Sequence, residues 1–246
     1  MFASCKSSNL SRILLRGTAT TIALAAALLL SFGGATATTE ERVVVFGAET
    51  GSSLDLRMAG DALVVEGYMA AERPTGCRWE RPRHLAVCPL ADAGSLELRM
   101  GPSGDMVEVH DPLPMPLTIY LGDGSDKFIG SDEPDTCYSE GARRNRCIGR
   151  GGDDVCITGD RNSDCEGGAG NDYCKHGAGS DGCWGGPGDD VCIMGAGMDG
   201  CHGEGGRDRL YGGPSPDQLY GGRDHDHCDG GPGWGYSHTC EAGPRR

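Results

Sequence analysis

Gly167-Gly-Ala-Gly-Asn-Asp-Tyr-Cys-Lys175, His176-Gly-Ala-Gly-Ser-Asp-Gly-Cys-Trp184 and Gly185-Gly-Pro-Gly-Asp-Asp-Val-Cys-Ile193 follow one another without a gap. Each carries Asp at position six and Cys at position eight. Outward from this stretch the eighth-position series runs Cys156, Cys165, Cys174, Cys183, Cys192, Cys201, with Cys147 before it and Cys228 after Leu210 and Leu219. The sixth-position series runs Asp172, Asp181, Asp190, Asp199, Asp208, Asp217, Asp226. Two phase-locked series over seven units leave no room for chance, and a fixed short period is the signature of a repeat architecture. The units tile 121–129, 130–138, 140–148 after the inserted Ser139, and then run unbroken to 238. Earlier sixth positions are Asp126, Asp135, Asn145, Asp154 and Ser163. A degenerate unit, 100–108, has Asp105 in place. Pro112, Pro114 and Pro116 interrupt the series, and Leu117–Tyr120 reads as a short strand leading into the array.

The pattern resembles the Gly-Gly-x-Gly-x-Asp-x-U-x nonapeptide of the RTX (hemolysin-type) calcium-binding family. The resemblance implies an all-β fold, a parallel β-roll with two nonapeptides per coil. In that family the Gly/Asp part is a turn, the last three residues are a strand, and Ca2+ sits between successive turns on one edge. Local chemistry agrees. Glycine permits positive φ and close backbone approach, so the turn exposes carbonyls. A three-residue strand points one side chain inward, and position eight is the apolar one. Ca2+ takes six to eight oxygens, and two stacked turns supply them.

Turns on one edge are eighteen residues apart. Asp154, Asp172, Asp190, Asp208 and Asp226 share the first edge; Asp181, Asp199 and Asp217 share the second. These eight are the expected ligands, for about six ions between them. Ser163 and Asn145 weaken the second edge. Ser215, Pro216 and Asp224 make the repeats at 203–229 depart most from the family consensus. Without the ion, stacked carboxylates about 5 Å apart repel by on the order of 1 kcal/mol per pair in water, and more where solvent is excluded. Folding is therefore expected to be linked to calcium. The competing reading is a solvated, disordered acidic stretch.

Cysteine at position eight departs from the large aliphatic residue usual in RTX rolls. Cleavage near Ala37 removes Cys5 and leaves an even twelve of the thirteen Cys, which in an exported chain points to disulfides. Ladder cysteines face partners nine residues away across the roll and stack eighteen away along it. The facing option is preferred: Cys137–Cys147, Cys156–Cys165, Cys174–Cys183 and Cys192–Cys201. It requires Cα atoms within about 7 Å. Outside the ladder, Cys77–Cys88 reads as a hairpin staple and Cys228–Cys240 as a C-terminal pin. Reduced buried thiols, or a thiolate soft-metal ladder, are the alternatives.

Composition bounds the rest. Of 43 Gly, 32 lie in the last 126 positions, and aromatics are 6%. A compact α/β enzyme core is excluded from that half. The formal charge of −14 argues against nucleic acid or an anionic membrane and suits a cation. Lys6, Arg12 and Arg16, an apolar run over 21–32 and Ala35-Thr36-Ala37 read as a secretory signal peptide over 1–37. The run is short for a membrane anchor. Residues 38–99 read as a small β capping domain with strands at 42–46, 53–57, 63–66 and 95–99. The roll is expected over 100–241 and a tail over 242–246.

No catalytic constellation emerges. His84 lies in a basic surface loop, and no His-Glu-x-x-His helix is present. His225, His227 and Cys228 with His202 and His238 have soft-metal chemistry, but a bonded Cys228 does not ligate. The expected function is a secreted, extracellular, non-enzymatic calcium-binding protein. A secreted enzyme or toxin with its active part in 38–120 is the alternative of a different class.

Overall fold

The computed structural model describes residues 41–46, 51, 53–67, 77–80, 85–90, 93–139, 141, 143–233 and 235–240. The leader, the 242–246 tail and His84 lie outside the described residues. Among those described there is no helix, and none long and apolar enough to cross a membrane. Two sheets, of nine and twelve strands, face each other across one core.

The chain alternates between the sheets every nine residues. Tyr173–Lys175 lies in the nine-stranded sheet, Gly182–Pro187 in the twelve-stranded one, and Val191–Ile193 back in the first. Equivalent residues eighteen apart are neighbours in parallel register, Cys156 beside Cys174 beside Cys192 and Cys165 beside Cys183 beside Cys201. This is the β-roll with two nonapeptides per coil. It follows from the glycines: no connection is long enough for a helix, so each strand pairs with the next strand on its own side.

Position eight faces inward from Phe128 to Cys228. Cys156, Cys165, Cys174, Cys183, Cys192, Cys201, Leu210 and Leu219 are all buried. Before residue 130 the same core is aliphatic, from Leu54 and Leu56 through Leu117 and Ile119 to Phe128. A buried Leu contributes roughly 1.5–3 kcal/mol and a Cys less. The hydrophobic contribution to folding is therefore concentrated at the N-terminal end.

The described residues between 41 and 99 continue the same two sheets. Glu41–Phe46 pairs in parallel with Ala93–Arg99 at the end of the nine-stranded sheet. Ser53–Ala59 pairs in parallel with Met106–Val109 and antiparallel with Ala62–Gly67. Leu85–Pro89 and Arg78–Glu80 complete that antiparallel extension. The sequence reading missed these last two strands because Pro74, Pro82 and the run of arginines mask their alternation. Glu40–Arg246 is one compact unit, and the strands on either side of residue 100 share a core.

Backbones of successive coils approach closely at the turns. Gly188 has φ +149°, and a Cβ there would collide with the carbonyl oxygen of Gly170 in the neighbouring coil. Gly188→Ala is expected to cost about 3 kcal/mol, seen as a fall of roughly 6–12 °C in the thermal midpoint of the calcium-loaded protein. Gly200→Ala, where a Cβ meets open space, is the control and should leave the midpoint nearly unchanged.

Candidate metal centre

The eight expected aspartates stand in two rows at the edges of the roll, all 1–6% exposed. Each uses one carboxylate oxygen to bind the neighbouring coil. On the first edge the Asp154 N–H donates to Asp172 Oδ1 at 2.8 Å, Asp172 to Asp190 at 2.7 Å, Asp190 to Asp208 at 2.9 Å and Asp208 to Asp226 at 3.0 Å. On the second edge Ser163 donates to Asp181 at 2.7 Å, Asp181 to Asp199 at 2.8 Å and Asp199 to Asp217 at 3.0 Å. The other oxygen, Oδ2, is buried and without a hydrogen-bond partner in all eight. A buried carboxylate oxygen with nothing to accept is costly, and a row of them fits a hard cation.

Two further residues belong with them. Asp135 donates its N–H to Asp154 Oδ1 at 2.7 Å and leaves Oδ1 unpartnered; Asp126 leaves Oδ2 unpartnered. Both occupy position six, so the sequence contained the signal. The one-residue insertion at Ser139 hid Asp135 from a strict count of eighteen.

The two edges are built differently. On the first, every unit opens on glycine: Gly130, Gly149, Gly167, Gly185, Gly203 and Gly221. A Cβ at Gly149 would collide with Asp154 Oδ2 and crowd the Gly167 carbonyl oxygen; Gly203 repeats this with Asp208 and Gly221. The carboxylate of one turn and the carbonyl of the next thus converge on a spot that only glycine leaves open, an oxygen cradle of the kind Ca2+ prefers. The strand of the twelve-stranded sheet runs on through the opening glycines, as in Gly182–Pro187, leaving three residues before the next strand. On the second edge the opening residues include Thr158, His176 and Met194, all buried. There the strand stops earlier, and six residues, 176–181, separate Tyr173–Lys175 from Gly182–Pro187. Thr158 Oγ1 lies 3.0 Å from His176 Nδ1, and His176 Nε2 has no partner. Sequence reading overlooked this difference between edges, although the position-one column carries it.

Burial dominates the electrostatics. It pushes the Asp154 carboxyl up to about 8, against the Asp135 N–H, with the charges of Asp135, Asp172 and Asp153 adding to the rise. Asp126 and Asp190 are pushed up to about 7 and Asp135, Asp172, Asp181, Asp199 and Asp208 to about 6, burial leading in each. Asp217 is raised for the same reason. At the start of the first edge a fixed cation is built in. Arg150, at φ 86°, donates to the carbonyl oxygens of Val109 and Gly130 and pairs with Glu108 at 2.9 Å.

Disulfides join Cys77–Cys88, Cys137–Cys147, Cys156–Cys165, Cys183–Cys192 and Cys228–Cys240. Cys174 and Cys201 are buried free thiols. This corrects the expected Cys174–Cys183 and Cys192–Cys201 pairs. Cys156, Cys165, Cys174, Cys183 and Cys192 each have a facing cysteine nine residues before and another nine after, and Cys183 is bonded to the later one. The facing Cα atoms are 6.4–6.7 Å apart in the ladder, inside the limit a disulfide needs. The histidine cluster does not converge. Cys228 is bonded, and the Tyr220 ring stands between His202 and His238 with centroids 4.6 and 5.9 Å away.

Residues 202–233 match the family model of the RTX calcium-binding nonapeptide repeat in four copies. No curated protein and no solved structure matches the chain. The matched stretch covers the repeats expected to depart most from the consensus. Leu210 and Leu219 at position eight outweigh Pro216 and Asp224 there, and it is the cysteine-bearing units that stray. RTX nonapeptide repeats bind Ca2+. Residues 202–233 are therefore similar to RTX calcium-binding nonapeptide repeats, in a chain wound as a parallel β-roll with disulfides in its core.

Proposed function

We infer that this is an exported, extracellular, non-enzymatic protein whose roll is held together by calcium. The observation that carries the reading is the pair of rows of buried, unpartnered carboxylate oxygens, one per coil from Asp135 to Asp226 on the first edge and from Asp181 to Asp217 on the second. Asp135, Asp154, Asp172, Asp190, Asp208 and Asp226 hold ions along the first edge, with glycine carbonyls as co-ligands. Asp181, Asp199 and Asp217 do so along the second. The ion supplies positive charge where desolvated carboxylates meet. Residues 38–99 cap the first coil and cover its strand edges. Export is supported by five disulfides together with the basic, apolar, small-residue order of 1–37.

Titration calorimetry of the oxidised mature protein is expected to give about seven ions per chain, one per carboxylate gap. Asp190 lies between two gaps, so Asp190→Asn should remove about two of them. A stoichiometry unchanged by that substitution would refute the assignment of the ions to the aspartate rows.

A further inference from the structure

A second group of ligand-bearing side chains stands away from the aspartate rows, on the outer face of the twelve-stranded sheet. Asp55, Glu108 and His110 each bring one ligand atom within 4.8 Å of the other two. His110 Nε2 lies 3.1 Å from Asp55 Oδ1, and His110 Nδ1 lies 4.0 Å from Glu108 Oε1. All three side chains are partly open to solvent, at 25–42%, so an ion can reach them.

The backbone puts them there. Asp55 and Glu108 are register partners on neighbouring parallel strands, Ser53–Ala59 and Met106–Val109. His110 follows Glu108 by two residues, and its N–H donates to the Leu56 carbonyl oxygen at 2.9 Å, so it shares that face. One residue further on, Asp111 Oδ2 accepts the Met58 N–H at 2.9 Å, which fixes the chain on the far side of His110. Arg150 donates to Glu108 Oε1 at 2.9 Å and orients that carboxylate from outside, as ligating carboxylates are commonly held. Glu66 is the register partner of Asp55 on its other side. Three acidic residues, Glu66, Asp55 and Glu108, therefore stand in one row across three strands. Like charges facing each other on adjacent strands destabilise a sheet, and a dication between them reverses the sign.

We propose that Asp55, Glu108 and His110 bind one divalent transition-metal ion of the Zn2+ class, which clips Ser53–Ala59 to Met106–Val109 at the start of the roll. Two carboxylates and an imidazole are a donor set for Zn2+. Ca2+ takes six to eight oxygens and finds here too few of them and a nitrogen. Donors around a four-coordinate Zn2+ at about 2.0–2.1 Å stand roughly 3.3 Å apart. The His110–Asp55 pair is close to that spacing, a rotation of Glu108 brings in the third donor, and water completes the shell. The site shares no residue with the calcium rows, so it stands or falls apart from them.

The test is a calorimetric titration of Zn2+ into the oxidised mature protein held in excess calcium, which keeps the aspartate rows filled. One Zn2+ per chain is expected to bind in dependence on His110 and to raise the thermal midpoint. His110→Gln and Asp55→Asn should each weaken that binding at least about tenfold, the loss that removing even an outer partner of a ligand causes, and abolish the rise in midpoint. Circular dichroism in calcium checks that each variant is folded. The double substitution His225→Gln and His227→Gln should leave the titration unchanged. Three results overturn the proposal: no Zn2+ binding in excess calcium, binding that survives His110→Gln or Asp55→Asn, or binding lost with His225 and His227 instead. Asp190→Asn, aimed at the calcium rows, should not alter the Zn2+ titration, so the two ion readings can fail separately.

Discussion

Stripping calcium from the oxidised protein at pH 8 is expected to abolish most of its strand signal, and returning the ion to restore it. The apo roll sets a buried carboxylate oxygen on every coil of the first edge from Asp135 to Asp226, and on the second edge from Asp181 to Asp217. Its core from residue 137 on is mostly cysteine and glycine backbone, which offsets little of that cost. A ligand at a hundred times its Kd stabilises the fold by about 2.7 kcal/mol per site. Two such sites reach the lower end of domain stability, about 5 kcal/mol, and several exceed the whole of it. The five disulfides limit expansion of the unfolded form but supply no partner for Oδ2. Circular dichroism with calcium, with chelator and with calcium restored decides the matter; a spectrum indifferent to the chelator sinks it.

Acid is expected to rescue the calcium-free chain. Burial pushes the carboxyls of Asp126, Asp135, Asp154, Asp172, Asp181, Asp190, Asp199 and Asp208 up to about 6 to 8 in the folded roll, against 3.8 in the unfolded chain. A group whose folded pKa is raised stabilises the fold fully below its unfolded value and loses that contribution as pH rises through the folded one. Calcium-stripped protein should therefore gain strand signal as pH falls from 8 to about 5. His176 acts in the opposite sense. Burial keeps its ring neutral down to about 4, so below about 6.5 the unfolded chain takes that proton first. One histidine against a row of carboxyls leaves the sum in favour of acid. With calcium bound the slope reverses, because protons then compete with the ion for the same oxygens. The strand signals of stripped and loaded protein should differ widely at pH 8 and converge as pH falls to about 5; parallel curves contradict the argument.

Much of this was legible without coordinates because the period is short and strict. Nine residues with glycine in the turn and one apolar residue in the strand admit few windings, and the eighteen-residue register of Cys156, Cys174 and Cys192 is what the count implies. Asp135 escaped because a single inserted residue shifts the count while leaving the turn in register with Asp154. Arg78–Glu80 and Leu85–Pro89 escaped because irregular antiparallel strands have no period to read.

By itself the sequence determined the coil, the inward face and the rows of acid, since these depend only on spacing along the chain. Tertiary structure decided three things that spacing leaves degenerate. Cys183 has two facing cysteines at equal separation, Cys174 and Cys192, so its bonding to Cys192 is a matter of packing. Each aspartate has two oxygens, and only the neighbouring coil's N–H determines which one is spent and which is left for an ion. The two edges have the same acidic residue at the same period, yet the side chains of Thr158, His176 and Met194 point into a core where the first edge has none. The physical reason is common to all three: they turn on what lies beside a residue in the next coil, eighteen positions away.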